Sequence, residues 1–169
     1  VCVIPNALPK EFTNRLHPDA EAAFGRQTVL MLSSLKEYKG TREFIELANR
    51  LPQYKFVLVI NDVQENIDSF LYKYNIFCSQ NLIIYPRQNN VVPFYNEASI
   101  VINLTDKKLA VETFGLTALE AMSAGLPVIV PTEGGIAEMV TDGENGYKID
   151  VQDLNKIVEY VHLLLSDQE

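Results

Sequence analysis

Apolar residues gather along this chain in two kinds of block. Short, nearly unbroken apolar runs at 28–33, 55–60, 82–85, 100–104 and 127–130 have the length and composition of strands covered on both faces. Between them the apolar residues recur every three or four positions, as on one side of a helix. Phe44, Ile45, Leu47 and Ala48 make such a stripe in 41–51, which Pro52 closes. Ile67, Phe70 and Leu71 make another in 63–74, and Ile157, Val158, Val161 and Leu164 a third in 154–165. Shorter helices are predicted over 93–98, where Pro93 suits a first turn, and over 136–140, with a last strand at 147–149. Residues 8–26 have no clear period and read as a linker with one helical turn.

Strands alternating with helices at this spacing imply βαβ crossovers. The predicted class is therefore α/β: a Rossmann-like, doubly wound parallel sheet in one domain. Such sheets bind ligands beyond the carboxyl ends of their strands. The polar loops 34–40, 85–90, 105–113 and 131–136 all fall at those ends. One of them leads into a helix expected to start near Thr113, whose hydroxyl suits an N-cap. Gly115 has no side chain, so a ligand can come close to the free amides of Phe114 to Thr117, and a helix start of this kind attracts phosphate. Glu112 stands at its mouth and Glu120 a turn or two further on. Ala118, Ala121 and Ala124 keep the helix thin, and Gly125 with Pro127 stops it.

Composition narrows the choice. A chain of 169 residues, 47% of them hydrophobic, suits one domain with a real core. Its net charge of −8 argues against nucleic acid and anionic membranes as partners, though not against a local basic pocket. No apolar run approaches the roughly 18 residues of a membrane-spanning helix. Cys2 and Cys78 lack metal or redox spacing, which favours a reducing, cytoplasmic compartment. His17 and His162 are isolated, and no metal site is expected. The chain opens without Met on an apolar, strand-like stretch ending in Pro5-Asn6, and it reads as a fragment.

The stretch Glu112-Thr-Phe-Gly-Leu-Thr-Ala-Leu-Glu120, continued by Ala-Met-Ser-Ala-Gly-Leu-Pro-Val-Ile, resembles the donor-site signature of family 4 retaining glycosyltransferases. Residues 132–138 and 142–147 extend the likeness. The resemblance implies the second half of a two-Rossmann (GT-B) enzyme, with 1–26 as interdomain connection and linker and 27–169 as the donor-binding domain. It implies transfer of a hexosyl unit from a nucleoside diphosphate sugar to an acceptor hydroxyl, without cofactor or metal. By family frequency the donor is a UDP-sugar. The acceptor, a carbohydrate or a lipid-linked one, would be held by the missing amino-terminal domain, through which any membrane contact would also be made.

Carried over residue by residue, Glu112 would contact the transferred sugar and Glu120 the ribose hydroxyls. The segment Phe114, Gly115, Leu116 and Thr117 would hold the diphosphate through its amides. Lys39-Gly40 matches a motif whose lysine neutralises the departing diphosphate, which pairs Lys39 with Glu112 as the catalytic residues. That motif also carries an arginine, but here the position is Ser34. Gly134 and Gly135 would offer further amides, with a purely structural turn as the equal alternative. Arg87 falls where the nucleobase rests, with an ordinary loop role as its alternative.

Three other functions stay open. The missing arginine favours a non-catalytic nucleotide-sugar binding module. A sugar-nucleotide epimerase shares the architecture. A receiver-type regulatory domain needs a phosphoacceptor aspartate, for which Asp62 is the candidate.

Overall fold

The computed structural model describes residues 6–166, so the strand-like opening and Cys2 lie outside the described residues. Six strands, β1 Thr28–Ser33, β2 Lys55–Ile60, β3 Leu82–Tyr85, β4 Ile100–Ile102, β5 Val128–Val130 and β6 Gly146–Lys148, form one sheet in the order β3-β2-β1-β4-β5-β6. Every neighbouring pair is parallel. The strands are apolar throughout because successive side chains point to opposite faces and each face is covered. Phe56, Leu58 and Ile60 enter one core with Val29, Met31, Ile100, Ile102 and Ile129. The intervening Val57, Val59, Leu30, Val101, Val128 and Val130 enter the other.

Helices α3 Thr41–Arg50, α4 Gln64–Lys73 and α8 Leu154–Ser166 cover the first face through Phe44, Leu47, Ile67, Ile157 and Val161. Helices α5 Val92–Asn96, α6 Leu116–Ser123 and α7 Gly135–Glu138 cover the second through Tyr95, Ala118, Ala121 and Ile136. This is the doubly wound sheet that the alternation of runs predicts.

Three local expectations are corrected. Residues 8–26 carry two helices, α1 Lys10–Thr13 and α2 Ala20–Arg26, instead of one turn. Asp19 accepts from the amide of Ala22 at 3.0 Å and caps α2. Leu16 and Ala23 are buried in the second core, and this packing, invisible to periodicity in so short a segment, holds them there. Within the loop at 34–40, Glu37–Lys39 form a 3-10 turn. The central helix begins at Leu116 with Gly115 at the N-cap, not near Thr113. Gly115 takes φ +81°, and a Cβ there would collide with Ile136. The chain therefore turns at the one residue that fits both the conformation and the space.

Candidate active site

The order β3-β2-β1-β4-β5-β6 reverses direction between β1 and β4. From β1 the chain crosses to α3 on one face, and from β4 to α6 on the other. The two connections diverge and leave a crevice beyond the carboxyl ends of these strands, where doubly wound sheets place their ligands. A cavity of about 320 Å³ occupies it. Met31, Leu32 and Leu104 supply apolar wall, and Ser33, Ser34, Lys39, Asn61, Asn103, Thr105, Glu112, Gly115, Leu116 and Thr117 complete the lining.

The loop after β1 is fastened at several points. The Thr41 hydroxyl donates to the Ser34 carbonyl at 3.0 Å, and the amide of Asp106 donates to the Tyr38 carbonyl at 2.7 Å. Gly40, at φ +69°, packs so closely on Leu104 that a Cβ would collide with it. These contacts aim Lys39 across the crevice. Its Nζ donates to Oε2 of Glu112 at 2.7 Å, with the Thr105 hydroxyl 3.4 Å from the same oxygen. The lysine and the glutamate proposed from sequence, 73 positions apart, thus meet as an ion pair in the wall of one cavity.

Gly115 opens α6 into the same space. Among the described residues, the amides of Gly115, Leu116 and Thr117 have no hydrogen-bond acceptor; the first bonds of the helix run from Ala118 and Leu119 to the Gly115 carbonyl. Three free N–H groups beside a lysine form a pocket for an anion. Phe114 is half-buried and lies outside the lining.

Gly134 and Gly135 also stand apart from the lining. A Cβ on Gly134 would strike the Glu112 carbonyl, and one on Gly135 the Thr113 carbonyl. Close backbone approach is what these two glycines provide: they let the loop after β5 press against the loop that carries Glu112. Lys107 ties the same loops from the outside. Its Nζ donates to Thr132 at 2.7 Å and pairs with Glu133 and Asp150 at 2.8 Å each, so the ends of β4, β5 and β6 meet at one cation. Asp150 also accepts from the amide and hydroxyl of Thr132.

Glu120 is placed one turn behind Thr117, outside the cavity lining, with Oε2 accepting from the Tyr95 hydroxyl at 2.5 Å. Burial pushes its carboxyl above the ordinary glutamate range, and the Tyr95 hydrogen bond opposes that rise. Tyr95 is held well above the usual tyrosine value, first by burial and then by the charge and hydrogen bond of Glu120. It therefore stays a donor.

Arg87 donates from Nε to Oδ1 of Asn61 at 2.8 Å and reaches the cavity only through that neighbour. Asp62 accepts from the Val63 amide and the Asn66 side chain at the start of α4. Those hydrogen bonds, led by Asn66, hold its pKa below the usual carboxylate value, as befits a helix-start residue. Among the described residues no group of three or more His, Cys, Asp or Glu side chains is placed to hold a metal ion. No described helix is long and apolar enough to cross a membrane.

Sequence reasoning missed Asn61, Asn103 and Thr105. Two of them had a readable signal: Asn61 and Asn103 are the first polar residues after the apolar runs of β2 and β4. Tyr95 and Lys107 gave none, since their partners come from distant loops.

A doubly wound α/β domain with a crevice at its switch point, lined by a lysine and three free amides, is the class that this fold and site define. The family model of glycosyl transferases group 1 matches residues 13–169, and the chain belongs to that family. It is 32% identical over 95 residues to N-acetyl-alpha-D-glucosaminyl L-malate synthase of Bacillus anthracis, covering 56% of this chain and 24% of that protein. The chain spans less than half the length of this and other curated relatives that it matches. Its fold is similar to the carboxy-terminal domain of a glycosyl transferase group 1 family protein (LpcC) from Francisella tularensis. There the TM-score is 0.69 at 22% identity, over 92% of this chain and 87% of that one. It is also similar to Anabaena HepE in complex with UDP and glucose, with a TM-score of 0.70 at 18% identity over 95% and 44% of the two chains.

Proposed function

We propose that this chain is the donor-binding half of a retaining hexosyltransferase, one that moves a hexosyl unit from a nucleoside diphosphate sugar to an acceptor hydroxyl. The observation that carries this reading is the meeting of Lys39, Glu112 and three unpaired amides around one cavity. The amides of Gly115, Leu116 and Thr117 receive the diphosphate, and Lys39 leaves its ion pair to neutralise the charge that grows as the bond to the sugar breaks. Glu112, released by Lys39, accepts hydroxyl hydrogen bonds from the sugar. Glu120 serves the ribose. No metal is needed where a helix start and a lysine neutralise the diphosphate. Uridine is the expected base, a choice that the UDP bound to HepE supports. The acceptor is held by an amino-terminal domain.

The test is a thermal-shift panel of UDP, GDP, ADP and their sugars, with and without chelator. A ligand at 100 times its Kd raises stability by about 2.7 kcal/mol. A shift with one diphosphate that survives chelation supports the reading; binding that needs Mg²⁺ contradicts it.

Ser34 favours a second reading, a domain that holds a nucleotide sugar without catalysis. Ser34 lines the cavity, and among the described residues Lys39 is the only lysine or arginine in that lining. Single-turnover assay of the full-length protein separates the two readings.

A further inference from the structure

Tyr95 is the largest fully buried side chain of the described core. Its ring packs edge-on against Phe12, a contact that a phenylalanine would make equally well. The hydroxyl is the part that packing does not explain. It ends on Oε2 of Glu120, and it lies 3.5 Å from the Thr117 carbonyl, one turn earlier on α6. A buried tyrosine hydroxyl finds a hydrogen-bond partner, and here the partner is a half-buried carboxylate. Among the described residues no lysine or arginine forms an ion pair with Glu120, so this neutral donor is the group that steadies it. Donation to Oε2 alone leaves Oε1 with no partner in the described structure. The pair thus sits beside the turn of α6 that holds Thr117, a residue of the cavity lining.

We propose that Tyr95 is the positioning residue for Glu120: its buried hydroxyl holds one carboxylate oxygen and leaves the other to accept a ribose hydroxyl of the bound nucleoside diphosphate. This rests on the reading above that Glu120 faces the ribose. A carboxylate free to rotate would divide its two oxygens among water and the ligand, and a buried one without a donor would take up a proton and lose acceptor strength. Tyr95 prevents both.

Tyr95→Phe removes the hydroxyl and keeps the ring. Two measurements on the protein test the proposal. The first needs no ligand: the Glu120 carboxyl, titrated by carbon-13 NMR, is expected to move to higher pKa in Tyr95→Phe, since the hydroxyl is the influence that lowers it. Among the described residues no other ionisable side chain hydrogen-bonds to or pairs with Glu120, so the change is expected to follow this pair alone. The second is calorimetric binding of UDP, GDP, ADP and inorganic pyrophosphate. Tyr95→Phe is expected to weaken the preferred nucleotide roughly ten-fold, the scale of one hydrogen bond to a charged group. Pyrophosphate affinity is expected to stay the same, and the nucleotide loss to deepen as pH falls. In a Glu120→Gln background the same substitution is expected to add little.

An unchanged Glu120 titration in Tyr95→Phe overturns the proposal. So does equal weakening of pyrophosphate, which would mean that α6 as a whole had loosened. If Glu120→Gln weakens the nucleotide and Tyr95→Phe does not, the proposal falls and the ribose reading stands. If Glu120→Gln binds every diphosphate as tightly as the native protein, the ribose reading falls and takes the proposal with it.

Discussion

Lys39 and Glu112 neutralise each other at 2.7 Å, and a bound diphosphate would compete for the lysine. Lys39→Ala is therefore expected to weaken diphosphate binding by about 1.5–3 kcal/mol, the range for a hydrogen bond to a charged group. Calorimetry with UDP against UMP checks it, because UMP lacks the second phosphate and should lose less. The missing arginine is a question at the same scale. Lys36 lies 5.8 Å above the Tyr38 ring and borders a separate groove with Arg42 and Tyr74, so it is poorly placed to substitute. Arg87 is nearer, one side chain removed through Asn61. Ser34→Arg in the full-length enzyme is expected to raise turnover or tighten diphosphate binding. If Arg87→Ala instead costs about 10²–10³ in rate, Arg87 already supplies the charge.

Glu120 adds a stability prediction. Burial lifts its folded pKa above the unfolded value near 4.5, so the folded state binds the extra proton and stability falls as pH rises through that window. Glu120→Gln keeps an acceptor for Tyr95 and carries no charge. It is expected to raise Tm at pH 7, with the gain shrinking as pH drops toward 4.5. A gain independent of pH would place the cause elsewhere.

Among the elements, α6 depends on one glycine. Gly115→Ala would force a side chain into φ +81° and into Ile136 of α7. The expected cost is about 1–3 kcal/mol in urea unfolding, together with loss of phosphate affinity, because the amides move with the turn. The sequence placed this helix, the free amides at its start and its closing Gly125-Leu-Pro127, but set its beginning near Thr113. Thr113 has the chemistry of a cap. What moved the start was the close approach of α7, which no local signal near Thr113 encodes. Gly134 and Gly135 teach the same point. They read equally as ligand-facing amides or as a turn, and the carbonyls of Glu112 and Thr113 that press on them require glycine under either reading. Lys107 belongs here too: removing its amine in Lys107→Met is expected to speed hydrogen exchange in the 105–113 loop while leaving β1 and β2 protected.

For the molecule as a whole, the candidate site opens at the switch point of the sheet. On the proposed reading, this chain alone is expected to bind donor and to turn over little or nothing, and a form joined to an acceptor domain is expected to transfer sugar. Comparing nucleotide affinity and transfer rate in the two forms checks this; equal turnover would mean that the acceptor binds here. The acidic balance of −8 makes the pocket lysine a local exception, so binding should weaken with salt less than it would on a basic surface.

The sequence by itself determined the sheet and its class, because a parallel strand covered on both faces must be apolar along its whole length. It also marked Glu112 and the Gly115 helix start, since glycine, charge and helix boundaries are local properties written in order, while Lys39 was marked by the family resemblance of Lys39-Gly40. Tertiary structure alone decided which loops touch: that Lys39 reaches Glu112, that Asn61 and Asn103 join the wall, and that the backbone closes on Gly134 and Gly135. It alone gave Glu120 a buried phenol as partner. Such pairings depend on the order of strands in the sheet and on which face each crossover takes, and neither is fixed by any segment read alone.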